Sequence, residues 1–175
     1  MPDHYDSKAS SYTKSTSKSR TVDTVRFNQV RLNNIKAADV CIHTGSKYQV
    51  KITDNKDATI TAKVKHDELE IGEHGIGQAF GKNGWANRGH KFAIEVTIPT
   101  KDSLSEITGE KNTGRFKLAN LSLQKLDVKT NAGSCKLTNV QIKQQGKINA
   151  NVSKLSISRS ELNNFTYKSR VGSGS

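Results

Sequence analysis

Cysteine and proline are nearly missing from this chain, which has two of each in 175 residues. Cys41 and Cys135 have neither the pairing of a disulfide framework nor the spacing of a zinc-ligand set. The apolar fraction is only 33%, aromatic residues make up 6%, and the mean hydropathy is −0.68. That is thin for a globule with a thick core, but it suits a slim architecture whose outer strand face is solvated. No apolar run is long enough to cross a membrane as a helix. No signal peptide is present, so the targeting segment of an exported or anchored protein would have to lie outside this sequence. Helix-period stretches are scarce. Thr, Val and Ile, which favour strands, are common alongside Ser and Asn.

Between Leu104 and Tyr167 the chain repeats itself. Written in register, Gly114-Arg-Phe-Lys-Leu-Ala-Asn-Leu-Ser-Leu123 sits over Gly133-Ser-Cys-Lys-Leu-Thr-Asn-Val-Gln-Ile142. Phe116, Leu118, Leu121 and Leu123 map onto Cys135, Leu137, Val140 and Ile142, and then onto Leu155, Ile157, Ser160 and Leu162. A second column reads Ile107, Val128, Ile148, Tyr167. A fixed period of about 20 residues marks a solenoid, and apolar–polar alternation within each unit marks strands. The expected fold is a parallel β-coil with one rung per repeat and Cys135 buried as a small apolar residue. Asn120 and Asn139 share one corner slot, and Gly114 and Gly133 share another; both residue types tolerate the left-handed backbone of a tight corner. Stacked asparagines can also form side-chain ladders. The third rung departs from the pattern, with Arg159 in the Asn slot and Val152 in the Gly slot.

Upstream, residues 1–21 form a Ser/Lys-rich stretch with almost no aliphatic residues, expected as a disordered tail. Residues 22–175 read as a single β-solenoid domain whose strands start at Thr24, with Val25 and Phe27 alternating with Arg26 and Asn28. Within it, 22–100 form a less regular β meander that supplies the first, capping layers, and 104–175 form the regular rungs. Gly72–Gly89 holds six of the 13 glycines, the single Trp85 and Phe80, and reads as a loop that is either solvated or a docking element. Phe92, Ile94, Val96 and Ile98 then make the clearest alternating strand, which Pro99 closes. At the other end, the spacing from Val128 to Gly133-Ser134 recurs from Tyr167 to Gly172-Ser173. The end therefore reads as a corner opening a further rung, truncated there. The expectation is a longer natural protein or an end-to-end homodimer that continues the ladder.

The formal net charge is +12. Most of the excess lies on the repeats, where residues 101–175 hold 13 basic residues against 5 acidic ones. Lys117 and Lys136 fall in one outward column, and Lys129 and Lys168 in another. They read either as a solvated face that discourages edge-to-edge pairing or as a site for a polyanion.

Catalytic signatures are missing. Glycoside hydrolysis needs two facing carboxylates. Glu106 and Asp127 would share an outward column, but its next members, Lys147 and Thr166, are not acids. His66, Asp67, Glu68, Glu73 and His74 lie close in sequence with no helix-borne zinc spacing. No Gly-x-Ser-x-Gly elbow occurs, and Asn83 after Gly81-Lys82 excludes a phosphate-binding loop. No catalytic, cofactor-binding or metal-ligating set emerges, and no cofactor is expected.

The order of features, a meander, then Phe92-Ala-Ile-Glu-Val-Thr-Ile-Pro99, then rungs of the form Gly133-Ser-Cys-Lys-Leu-Thr-Asn-Val, resembles the bacterial putative adhesin family. These are domains of unknown function described as adhesin-like or auto-transporter-adhesin-head-like, and the likeness runs from about Val22 onward. The resemblance implies a right-handed parallel β-helix-like solenoid, often tethered to the bacterial envelope and sometimes linked to envelope-stress signalling. It carries over no site residues. The expected function is a non-enzymatic surface module of the cell envelope, held on its extracellular face by a segment outside this sequence; a cytoplasmic location is the alternative. Its partner would be a protein or an envelope polymer, with Phe80, Trp85, Lys117, Lys136, Lys129 and Lys168 as candidate contacts. The second reading is a polyanion-binding module whose ligand is wall polymer, anionic lipid or, least favoured, nucleic acid. The third is a carbohydrate-active enzyme.

Overall fold

The computed structural model describes residues 18–55, 58–75 and 92–174. They are all-β, and their strands curl into a solenoid-like stack. The regular part is β8 (Glu106–Lys111), a continuous β9 (Arg115–Ser158), β10 (Glu161–Leu162) and β11 (Phe165–Gly174). β9 runs unbroken through two turns of the coil, so successive rungs pair with themselves in parallel.

Each turn has three faces. The first carries β8 and residues 125–130, 146–150 and 165–169, joined by parallel registers such as Ile107↔Leu126 and Tyr167↔Ile148. The second carries 115–119 and its equivalents 134–138. The third is short, with β10 lying beside Gln141–Ile142. Phe116, Leu118, Leu121, Leu123, Leu126, Val128, Cys135, Leu137, Val140, Ile142 and Ile148 line the interior and are at most 2% exposed. Ile157, Leu162, Phe165 and Tyr167 pack against this core while only partly buried.

The corners take the backbone that their residues permit. Asn120 and Asn139 have φ of 57° and 53°, and Arg159, in the same slot, is held at 50°. The slot therefore dictates the left-handed turn even where the residue is not Asn.

In the N-terminal half the order of the strands in space differs from their order in the chain. β2 (Gln29–Ile35) and β3 (Asp39–Thr44) form a rung inside the stack. β2 lies parallel between β8 and β6 (Glu68–Gly75), and β3 lies parallel between the Phe116 rung and β7 (Ala93–Ile98). The core columns thus continue back through Val30 to Ile107 and through Val40 to Phe116. The outermost positions belong to antiparallel strands: β4 (Gln49–Asp54) on β7, β1 (Lys18–Asp23) on β4, and β5 (Ala58–Lys65) on β6.

Four expectations are corrected. Lys18–Asp23 is a strand, so the tail boundary at residue 21 falls too late: Arg20 donates to Asp54 at 2.7 Å and to the Ile60 carbonyl at 2.8 Å. Gly72–Gly75 belongs to β6, so the glycine-rich segment starts later than Gly72; residues 76–91, with Phe80 and Trp85, lie outside the described residues. Val25 and Phe27 do not alternate on one strand, because residues 24–27 are irregular; Phe27 is fully buried edge-to-face against Tyr48, while Val25 is 70% exposed. Finally, Ile107 stands over Leu126, and Gly109 takes the slot over Val128. The step of 19 residues from Ile107 to Leu126 is the same as that from Phe116 to Cys135, so the column read from the sequence is out by one side-chain pair.

Candidate functional site

The corner between the first and second faces is where polar chemistry collects. Asn112, Asn131 and Asn151 recur there at steps of 19 and 20 residues. The Asn131 side-chain amide donates to Asn112 Oδ1 at 2.9 Å, and Asn151 donates to Asn131 Oδ1 at 2.9 Å. Asn149 adds a further amide two residues before Asn151. Along this corner runs a groove of about 980 Å³, lined from the β2 level by Asn34 and Lys36 to the β11 level by Lys168 and Ser169. It crosses the strands, so it spans five rung levels, or roughly 19 Å at the usual strand separation.

On its outward side the groove presents the column Glu110, Lys129, Asn149, Lys168. Glu110 pairs with Lys129, and Asn149 with Lys168, in the strand registers. The 20-residue step of the Asn131–Asn151 bond places Asn149 over Lys129. The floor is Ile35, Lys111, Thr130, Ala150 and Ser169. The Ser169 hydroxyl is buried with no hydrogen-bond partner among the described residues.

Beneath the groove two charges are built into the corner. Lys111 is 3% exposed, and its ammonium donates to the carbonyls of Ala38, at 2.7 Å, and Thr113. Burial pulls its pKa down to about 8, against the opposing pull of Asp39 and Glu73. Burial pushes the nearby Cys135 thiol up to about 11. Glu73, also 3% exposed, accepts the backbone N–H groups of Lys36, Ala37 and Ala38 at 3.0–3.1 Å. A carboxylate with several N–H donors is a strong, charge-assisted clamp; here it fixes the β2–β3 corner that forms one end of the groove.

The structure sorts the residues expected from the sequence. Lys129 and Lys168 share a groove column, two levels apart. Lys117 and Lys136 do not line the groove: they lie on the second face, where Lys117 sits beside Cys41, and Cys41 beside Glu95. Glu106 and Asp127 do not form a carboxylate pair, because Glu106 pairs with Lys125 and Asp127 with Thr108. The His66–His74 acids and histidines disperse. His66 and Asp67, both at positive φ, make the two-residue β5–β6 turn; Glu73 points into the corner; His74 meets Thr61 at 3.3 Å. Among the described residues no three His, Cys, Asp or Glu side chains gather to hold a metal. Sequence reasoning missed the Asn112–Asn131–Asn151 ladder, although its spacing was visible, and missed Glu73 and Lys111, whose burial no local pattern announces.

The family profile of Toastrack DUF4097 matches residues 27–175. No curated protein matches the chain. Among solved structures, a putative cell adhesion protein from Clostridium sporogenes superposes with a TM-score of 0.59 at 14% identity, covering 91% of this chain and 98% of that one. A putative adhesin from Bacteroides fragilis gives 0.40 at 14% identity, covering 91% and 96%. A putative lipid binding protein from Parabacteroides distasonis gives 0.37 at 12% identity, covering 91% and 95%.

Proposed function

The chain belongs to the Toastrack DUF4097 family, an adhesin-like domain of unknown function with bacterial relatives, and on that premise we propose that it is a non-enzymatic interaction module of the bacterial cell envelope. Its binding face is the Asn112–Asn131–Asn151 corner groove. The observation that carries this reading is the groove itself: a concavity of about 980 Å³ crossing five rungs, with stacked amides along it and Lys129 and Lys168 in its outward column. A pocket with convergent polar groups is the default binding-site hypothesis, and a rigid β scaffold holds those groups in fixed spacing. The name of the Clostridium relative supports the adhesive reading. We carry over the right-handed winding of the coil as well, since parallel crossovers take that hand almost without exception.

Sedimentation with isolated bacterial envelope fragments tests the reading. The parent chain should co-sediment, and Lys129→Gln with Lys168→Gln should release it. Unchanged co-sedimentation of that double variant, or none by the parent, would refute the assignment of the face.

A further inference from the structure

We infer that the groove binds a linear acidic polysaccharide laid along the coil axis, with an acidic sugar at every second residue; the inference rests on the groove being the binding face. The first reason is direction. A chain lying in the groove crosses the strands and meets equivalent side chains once per rung, at about 4.8 Å. One pyranose of an extended polysaccharide is about as long as a rung is tall, so sugars and rungs stay in step.

The second reason is charge spacing. Lys129 and Lys168 stand in one column two levels apart, with the neutral Asn149 between them. That is about 10 Å, the length of a disaccharide, so the column reads charged, neutral, charged. Glu110 at the head of the same column opposes a densely charged phosphate polymer but accepts hydrogen bonds from sugar hydroxyls.

The third reason is hydrogen-bonding capacity. The ladder bond between Asn131 and Asn112 uses one donor and one acceptor site, while each amide has two N–H groups and two lone pairs. Hydroxyl-rich ligands use such mixed groups.

Fluorescence anisotropy with a labelled hexasaccharide of alternating uronic acid and neutral sugar tests this. A neutral glucan hexasaccharide, single-stranded DNA and anionic phospholipid vesicles serve as competitors. The uronate hexasaccharide should bind. Two lost ionic contacts should weaken it about tenfold in Lys129→Gln/Lys168→Gln. Lys117→Gln/Lys136→Gln, which removes the same charge outside the groove, should change binding by no more than about twofold. Melting curves of both variants should match the parent, because all four lysines are exposed. Equal weakening in both variants, no binding, or better competition by DNA or vesicles would overturn the inference. If envelope fragments still bind through Lys129 and Lys168 but the hexasaccharide does not, the ligand class falls and the groove remains the binding face.

Discussion

Replacing Gly133 with alanine should cost this protein a large share of its stability. Gly133 has φ of +124°, a region that residues with a Cβ rarely adopt. A Cβ built there would lie 2.0 Å from the Gly114 carbonyl oxygen and 2.9 Å from its carbon, both backbone atoms. That same oxygen accepts the Ser134 N–H at 3.3 Å from the rung above. The clash therefore cannot be relieved by a side-chain rotation; the rungs must separate locally. Backbone strain of this kind costs about 1–3 kcal/mol, and each lost rung hydrogen bond costs about 1 kcal/mol. A total of about 2–4 kcal/mol follows, against the 5–15 kcal/mol that is typical of whole domains. Urea unfolding followed by circular dichroism reads it as a lower midpoint with the slope retained. Asn139→Gly is the control: it keeps the left-handed corner and loses only the ladder bond to Asn120, so it should cost no more than about 1 kcal/mol. A Gly133→Ala midpoint equal to that of Asn139→Gly would refute the account of the Gly114–Gly133 contact.

Three other outcomes are expected. Glu73→Ala strips the acceptor from three corner N–H groups and should destabilise by about 2–3 kcal/mol in urea unfolding. Asp54→Ala removes the ion-pair partner of Arg20 and leaves the Ile60 N–H, bound at 2.8 Å, without its acceptor; a similar loss of about 2 kcal/mol should appear in the melt. Stability should also depend on pH in two opposing steps. The folded-state pKa of Lys111 is lowered from 10.5 to about 8, so its contribution is present above 10.5 and lost as pH falls through 8. That of Cys135 is raised from 9.0 to about 11, so its contribution is present below 9 and lost as pH rises through 11. Unfolding midpoints should therefore climb from pH 8 to 9, stay level to 10.5 and fall from there to about 11, and Lys111→Met should abolish the climb.

The rungs were legible from the sequence because a parallel coil stacks equivalent residues, and the interval between Phe116 and Cys135 states that stacking directly. The left-handed corner at Asn120 and Asn139 was legible for the same reason. The rung made by β2 and β3 was not. It lies in the stack between β6–β7 and β8–β9, elements that come later in the chain, and no fixed interval links Val30 to Ile107. The glycine at 109 hid the Ile107 register: an inward slot filled by Gly reads as a break in an apolar column. Half of the candidate site was visible, since Lys129 and Lys168 were singled out by charge. The amides beside them were passed over because the ladder reading stopped at Asn120 and Asn139, where the repeat alignment put equivalent asparagines in one slot. Glu73 escaped because its partners are backbone N–H groups of residues 36–38, more than 30 positions away.

Hydrogen exchange on the parent chain, with and without saturating envelope fragments, addresses the corner groove as the binding face most directly. Protection should rise in peptides spanning 110–113, 129–131 and 149–151, and stay level in those carrying Lys117 and Lys136. Protection centred on Lys117 and Lys136, with the groove peptides exchanging as in the free protein, would contradict the account.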